Sequence, residues 1–208
     1  MSKNIDYVFS VISPWAYIGH ALLVDTARQN NCTITYKPVQ LLNLFSETGG
    51  LPLGKRHPSR QNYRWYEMQR WIEARKIPFN LQPKHWPFSF MLADKTVVAA
   101  IGLGHDPAEL IHKIMLGIWS NEQDLSDKGT IAQILADCGL PPECLEKAEL
   151  DETEARYQKN TQDAIDNGCF GSPTYWLNGE MFFGQDKIEQ LADALRTGRE
   201  PYKMLTKV

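Results

Sequence analysis

The sequence predicts an α/β fold that opens with a strand–helix–strand unit, closes with a helix, a hairpin and a last helix, and carries a long helical insertion between them. Three observations predict it. An alternating apolar run, Ile5 to Ile12, leads through Ser13-Pro14 into a stretch that is apolar nearly all round. Near the other end, two β-rich runs flank Asn178-Gly179, a strong short-range hairpin signal. Between these ends strand signals fade while helix starts and stops recur.

The first strand covers Asp6 to Phe9, and a helix follows from Pro14 to about Gln29. Proline suits a first helical position because its backbone angle is already helical and its missing N–H is one the helix would not use, which makes Ser13 the N-cap candidate. Trp15, Ala16, Tyr17, Ile18, Ala21, Leu22, Leu23, Val24 and Ala27 leave few polar positions, so this helix should be covered on most sides. Thr33 to Pro38 completes a βαβ unit.

In the insertion, residues 41–150, a helix follows Ser59, with Trp65, Met68 and Ile72 at helical spacing and Pro78 as its stop. Asp106-Pro107-Ala108-Glu109 offers an acidic cap, a proline and a glutamate to reach back, with a helix running through Trp119. Thr130 to Cys138 is amphipathic and is ended by Gly139, Pro141 and Pro142. Asp151-Glu152-Thr153-Glu154 reads as a capping box for a helix to about Asn167, with Gly168 as terminator. Strands over Tyr175 to Leu177 and Met181 to Phe183 make the hairpin, and a closing helix from Gln185 to Arg196 carries Ile188, Leu191, Ala192 and Leu195 on one stripe. The chain of 208 residues exceeds the common domain size of roughly 100 to 150, and the order of elements divides it into one unit made of 1–40 and 151–208 and an inserted helical unit, 41–150.

Composition narrows the function. With 22 basic against 25 acidic residues and a formal charge of -3, the chain has no electrostatic footprint for nucleic acid. No run reaches the 18 or so apolar residues of a membrane span, and no secretory signal precedes the first strand. Cys32, Cys138, Cys144 and Cys169 form no C-x-x-C pair, as expected of reduced thiols in a cytoplasmic protein, and Cys169 reads as a packing residue. The five histidines show no paired ligand spacing, so no metal is expected, and His20 reads as structural. Small-molecule chemistry is the remaining expectation.

Ser13 places a hydroxyl on a helix N-terminus, where free N–H groups and the helix dipole hold an anion readily, and a thiolate is such an anion. Serving only as a cap is the plainer role for the same residue. The order of elements resembles the thioredoxin-like fold, which implies that Pro173, in Gly171-Ser172-Pro173-Thr174, is a cis-proline facing that N-terminus. Together, Ser13-Pro14-Trp15-Ala16-Tyr17, Phe170-Gly171-Ser172-Pro173-Thr174 and Phe183-Gly184-Gln185-Asp186 resemble the 2-hydroxychromene-2-carboxylate isomerases. That family sits with the kappa-class glutathione transferases and shares its fold with DsbA-type oxidoreductases. Where those oxidoreductases carry two cysteines, this chain has Ser13 and Ala16, so it cannot run disulfide exchange from this turn.

The resemblance implies a cytoplasmic homodimer that uses glutathione as its cofactor, in the conversion of 2-hydroxychromene-2-carboxylate to trans-o-hydroxybenzylidenepyruvate, a step of naphthalene-type aromatic breakdown. It implies that Ser13 steadies the glutathione thiolate and that Ser172, before Pro173, pairs with the cysteinyl part. Phe183 and Gly184 would line the cofactor, and Gln185 and Asp186 would meet the γ-glutamyl end. Asp186 could equally just compensate helix charge. For the small aromatic carboxylate substrate, Lys55, Arg56, Arg60 and Tyr63, interleaved with His57, are the candidates, with a solvated basic face as the plainer reading. A lysine that the isomerases carry soon after the second strand is replaced by Leu44 and Phe45, which bears on the substrate more than on the cofactor. Two other functions stay open: a kappa-like transferase that conjugates electrophiles, and a non-catalytic thioredoxin-like binding module.

Overall fold

The computed structural model describes residues 3–87 and 89–203. Four strands, β1 (Lys3–Phe9), β2 (Cys32–Pro38), β3 (Thr174–Leu177) and β4 (Glu180–Phe183), form one sheet in the order β2-β1-β3-β4. β1 runs parallel to β2, with Tyr7 opposite Tyr36, and antiparallel to β3, with Tyr7 opposite Tyr175. The parallel pair is joined by α1 (Pro14–Gln29), and the antiparallel pair β3–β4 by Asn178 and Gly179, both at positive φ as a type I′ turn requires. The thioredoxin-like arrangement implied by the order of elements is therefore present.

Period-two alternation sorts β1 between two clusters. Ile5, Tyr7 and Phe9 face a core shared with α1 and with Tyr175, Leu177 and Phe182, while Val8 faces a smaller cluster with Val39, Leu44, Ala164 and Cys169. The segment between β2 and β3 is helical: α2 (Leu41–Thr48), α3 (Pro58–Arg75), α4 (Met91–Gly102), α5 (Ala108–Trp119), α6 (Lys128–Asp137), α7 (Glu143–Lys147) and α8 (Asp151–Asp166), before α9 (Ile188–Thr197) closes the chain. Val97 of α4, Leu110, Ile111 and Ile114 of α5 and Ile131 of α6 are fully buried in the same core as the sheet. At about 1.5 to 3 kcal/mol for each such side chain, these contacts hold the helical segment against the βαβ unit.

Several helix starts differ from the sequence expectation. α3 begins at Pro58, with Nδ1 of His57 accepting from the Ser59 N–H. α6 begins two residues before Thr130, because Asp127 caps it and accepts the Thr130 N–H at 2.8 Å. Asp106 accepts the Ala108 N–H at 3.0 Å, but Glu109 pairs with Lys113 instead of reaching back. The capping box at Asp151 does not form: Leu150 holds the cap position, and Glu154 is drawn away by Gln40 and Lys95. The closing helix starts at Ile188 and not at Gln185, after a 3₁₀ turn over Gln185–Lys187.

A histidine and an aspartate lie among the buried residues. His20 of α1 is 2.9 Å from the Ala108 carbonyl through Nε2, so that nitrogen carries the proton, and burial lowers its pKa to about 4. Asp94 of α4 is fully buried, and desolvation raises its pKa to about 7 against three hydrogen bonds that favour the carboxylate. The two act oppositely on stability. His20 withdraws its contribution as pH falls below about 6.5 toward 4, whereas that of Asp94 is full below about 4 and is lost as pH rises through 7. Asp94→Asn removes the second slope only. Urea unfolding should show the variant gaining on the wild type by as much as about 4 kcal/mol between pH 4 and pH 8, and a difference independent of pH would refute the raised carboxyl.

Candidate active site

The turn between β1 and α1 presents Ser13 at the N-cap of α1, with extended backbone, and its Oγ accepts the Ala16 N–H at 3.3 Å. Tyr17 N–H goes to the Ser13 carbonyl, and Pro14 has no N–H, so of the first helical donors only that of Trp15 has neither a helix nor a cap partner. The Ser172–Pro173 peptide bond is cis, and this loop meets the turn directly. Ser13 Oγ donates to the Ser172 carbonyl at 3.1 Å, and Ser10 N–H donates to Ser172 Oγ at 3.1 Å. Ser13 and Ser172 are both buried.

Beneath the turn sits Asp94, which sequence reading did not single out. Its Oδ1 accepts the Val11 N–H at 2.9 Å, and its Oδ2 accepts from Ser10 Oγ at 2.7 Å and Tyr157 OH at 2.8 Å. An apolar helix stretch such as Ala93 to Ala100 gives one hint in sequence, a lone acid among buried positions, but not the partners it finds.

At the far side of Pro173, Gly184 N–H donates to the Pro173 carbonyl at 2.9 Å, which joins the end of β4 to the cis-proline loop. Gly184 has φ 100° and ψ 149°, a conformation open essentially to glycine alone, and a Cβ there would lie 2.4 Å from Asp186 Oδ1. Asp186 is exposed and pairs with Lys187. Gln185 is 2% exposed, and its side chain points inward, where Arg75 binds it, leaving its backbone as the part that a ligand could meet. Phe183 is exposed, with its ring against Phe170 at 4.5 Å and over Gly171. Ser13, Ser172, Pro173, Phe183, Gly184, Gln185 and Asp186 thus lie along one connected strip.

The expected substrate contacts fall on the insertion. Lys55 and Arg60 are exposed, and Arg56 is half-buried, donating to the Leu51 carbonyl with its guanidinium 5.9 Å from the centre of the Phe45 ring. Tyr63 is exposed and donates to Glu67 at 2.8 Å. Among the described residues, no hydrogen bond or ion pair joins these four to Ser13 or Ser172. Arg64, passed over in the sequence, is the more enclosed cation: burial first, and then the charge of Arg56, lowers its pKa to about 10.

The described thiols are free, and burial pushes those of Cys32, Cys138, Cys144 and Cys169 upward. Cys169 packs in the smaller cluster and donates to the Gly171 carbonyl. Among the described residues no group of three or more His, Cys, Asp or Glu is arranged to hold a metal, and no helix is long and apolar enough to cross a membrane.

Residues 4–196 match the family described as the DSBA-like thioredoxin domain. The chain is similar to the 2-hydroxychromene-2-carboxylate isomerase of Sphingobium xenophagum, 26% identical over 198 residues that cover 94% of this chain and 99% of that one. It is also similar to glutathione S-transferase kappa 2 of Caenorhabditis elegans, 26% identical over 219 residues covering 97% and 94%. Among solved structures, a 2-hydroxychromene-2-carboxylate isomerase superposes with a TM-score of 0.81 at 21% identity, over 93% of this chain and 95% of that one. The cytosolic disulfide reductase DsbM from Pseudomonas aeruginosa with GSH superposes with a TM-score of 0.68 at 15% identity, over 94% and 96%.

Gly184→Ala combines a conformation that costs about 1 to 3 kcal/mol with a clash against Asp186. Its melting temperature should fall by about 2 to 10 °C, and an unchanged melt would show that the turn has another accessible geometry.

Proposed function

Because the chain belongs to the DSBA-like thioredoxin domain family, we propose that it is a glutathione-dependent isomerase that interconverts 2-hydroxychromene-2-carboxylate and trans-o-hydroxybenzylidenepyruvate. The observation that carries the reading is Ser13: a hydroxyl, where the disulfide oxidoreductases of this fold carry a cysteine, caps α1 within 3.1 Å of the residue before the cis-proline. The donors present suit an anionic sulfur. They are the Ser13 hydroxyl, the Trp15 N–H and the positive end of α1.

The hemiketal ring opens to a ketone and a phenol, the hydroxyl proton passing to the ring oxygen as the C–O bond breaks. A glutathione thiolate would supply reversible addition to the conjugated double bond, so that the carbon–carbon bond can rotate before elimination expels the thiolate and restores it. The chain's own residues hold and aim. Ser13, which donates to the Ser172 carbonyl, would turn its proton to the sulfur, in a charge-assisted hydrogen bond stronger than the one it replaces. The released carbonyl is then open to the peptide N–H of the cysteinyl group, as one strand pairs with another. At the other end the backbone N–H groups of Gln185 and Asp186 would hold the γ-glutamyl carboxylate, and the exposed Asp186 carboxylate would hold its ammonium. Phe183 and Phe170 offer a flat apolar wall beside the cis-proline loop. For the substrate carboxylate, Lys55, Arg56 and Arg60 remain the candidate cations and Tyr63 a further contact.

The similarity to a kappa-class glutathione transferase, of the same identity over a longer alignment, favours one other reading: conjugation of an electrophile at the same site. Incubation with glutathione and each substrate class separates them, because isomerisation leaves the thiol unconsumed whereas conjugation of a chloronitrobenzene depletes it.

Ser13→Ala should lower turnover by about 10²-fold, the size seen for removing one donor to a developing anion, with glutathione affinity changed by less than about threefold because the other contacts remain. Steady-state kinetics with calorimetry checks this, and wild-type turnover would remove Ser13 from the chemistry. Asp186→Ala should weaken glutathione by about tenfold, the equivalent of one charge-assisted bond. An unaltered titration would take Asp186 out of the site.

A further inference from the structure

Arg75 ends α3 in the insertion, 110 positions from Gln185, yet its guanidinium is committed to the turn after β4. Nε and Nη2 both donate to Gln185 Oε1, at 3.3 and 3.2 Å, and Nη2 also reaches the Gln185 carbonyl at 3.5 Å. Nη1 pairs with Glu189 at the start of α9, and the guanidinium lies 4.9 Å from the centre of the Trp71 ring. The side chain is only 15% exposed. From the opposite side α1 closes on the same residue: a Cβ on Gly19 would stand 2.7 Å from Gln185 Cβ. Gln185 is therefore gripped between two helices, and its side-chain oxygen is used up.

A ligand at this turn is left with the backbone N–H groups of Gln185 and Asp186 and the Asp186 carboxylate, an arrangement suited to an α-amino-acid head group with its carboxylate and ammonium. The direction of those N–H groups follows from how Gln185 is held. Only a planar fork can bind one amide oxygen twice while pairing a carboxylate and stacking on an indole, so lysine cannot replace it.

We propose that Arg75 is a positioning residue that sets selectivity for the γ-glutamyl head group by fixing the Gln185–Asp186 backbone. This rests on the glutathione reading above. Through Arg75, an inserted helix determines which peptide the thioredoxin-like unit accepts.

The test is binding of glutathione and of cysteinylglycine, which lacks the γ-glutamyl group, to wild type, Arg75→Lys and Glu189→Gln, by NMR titration under reducing conditions with thermal melts alongside. The wild type should prefer glutathione by at least about tenfold. Arg75→Lys should cut that preference by about tenfold with cysteinylglycine affinity held within about twofold, a selective loss that general destabilisation would not give. Glu189→Gln, which leaves the fork on Gln185, should keep the preference. A preserved preference in Arg75→Lys overturns the role of Arg75 alone, as does an equal loss in Glu189→Gln or an Arg75→Lys variant that does not fold. A wild type that binds neither peptide removes the glutathione reading and this role with it.

Discussion

Two stretches of chain meet α4 on the carboxyl group of Asp94, and a third is tied to the first of them. The Val11 N–H and the Ser10 hydroxyl bring the end of β1 and its turn, Tyr157 brings α8, and through Ser10 N–H to Ser172 Oγ the cis-proline loop is included. A carboxyl this buried is costly unless its oxygens are occupied, and all the partners it finds are donors. Ser10, held by Asp94 through its hydroxyl, also binds Ser172, 162 positions away, through its N–H, so the same residue ties the turn before α1 both to α4 and to the loop that faces it. Ser13 inherits its place from that arrangement.

The same logic extends outward. Among the described residues the sheet has four strands, two of them four residues long, and could not bury its α1 face alone. Helix α4 packs on β2, α5 packs on α1 and α6 on α5, and two further groups of the insertion reach into the site's surroundings: Asp94 under the turn and Arg75 beside Gln185. The helical segment is thus structural cover and site framework at once. Residues from it and from the rest of the chain share one buried cluster.

The strand–helix–strand opening, the hairpin and the Ser13 cap were legible because each is written locally: alternation, a proline at a first helical position, an Asn-Gly pair. Helix starts that hinge on one hydrogen bond were less so. Asp151 to Glu154 has the spelling of a capping box, yet Glu154 finds Gln40 and Lys95 across the fold, and tertiary partners outweigh a local one worth about 1 kcal/mol. Within the candidate site, Ser13 and the residues around Pro173 are singled out by linear motifs. Asp94 and Arg75 are not, since what distinguishes them from any helical Asp or Arg is who stands opposite, and no spacing rule encodes contacts 83 and 110 positions away.

The contact between Ser13 Oγ and the Ser172 carbonyl has a bearing on what the turn can discriminate. A hydroxyl has one proton to give, and here it is already placed. A neutral guest arriving at the turn offers an acceptor no better than the peptide oxygen, so the exchange is close to even, whereas a charged guest tips it. Breaking the resting bond is therefore offset more fully by a charged acceptor than by a neutral one.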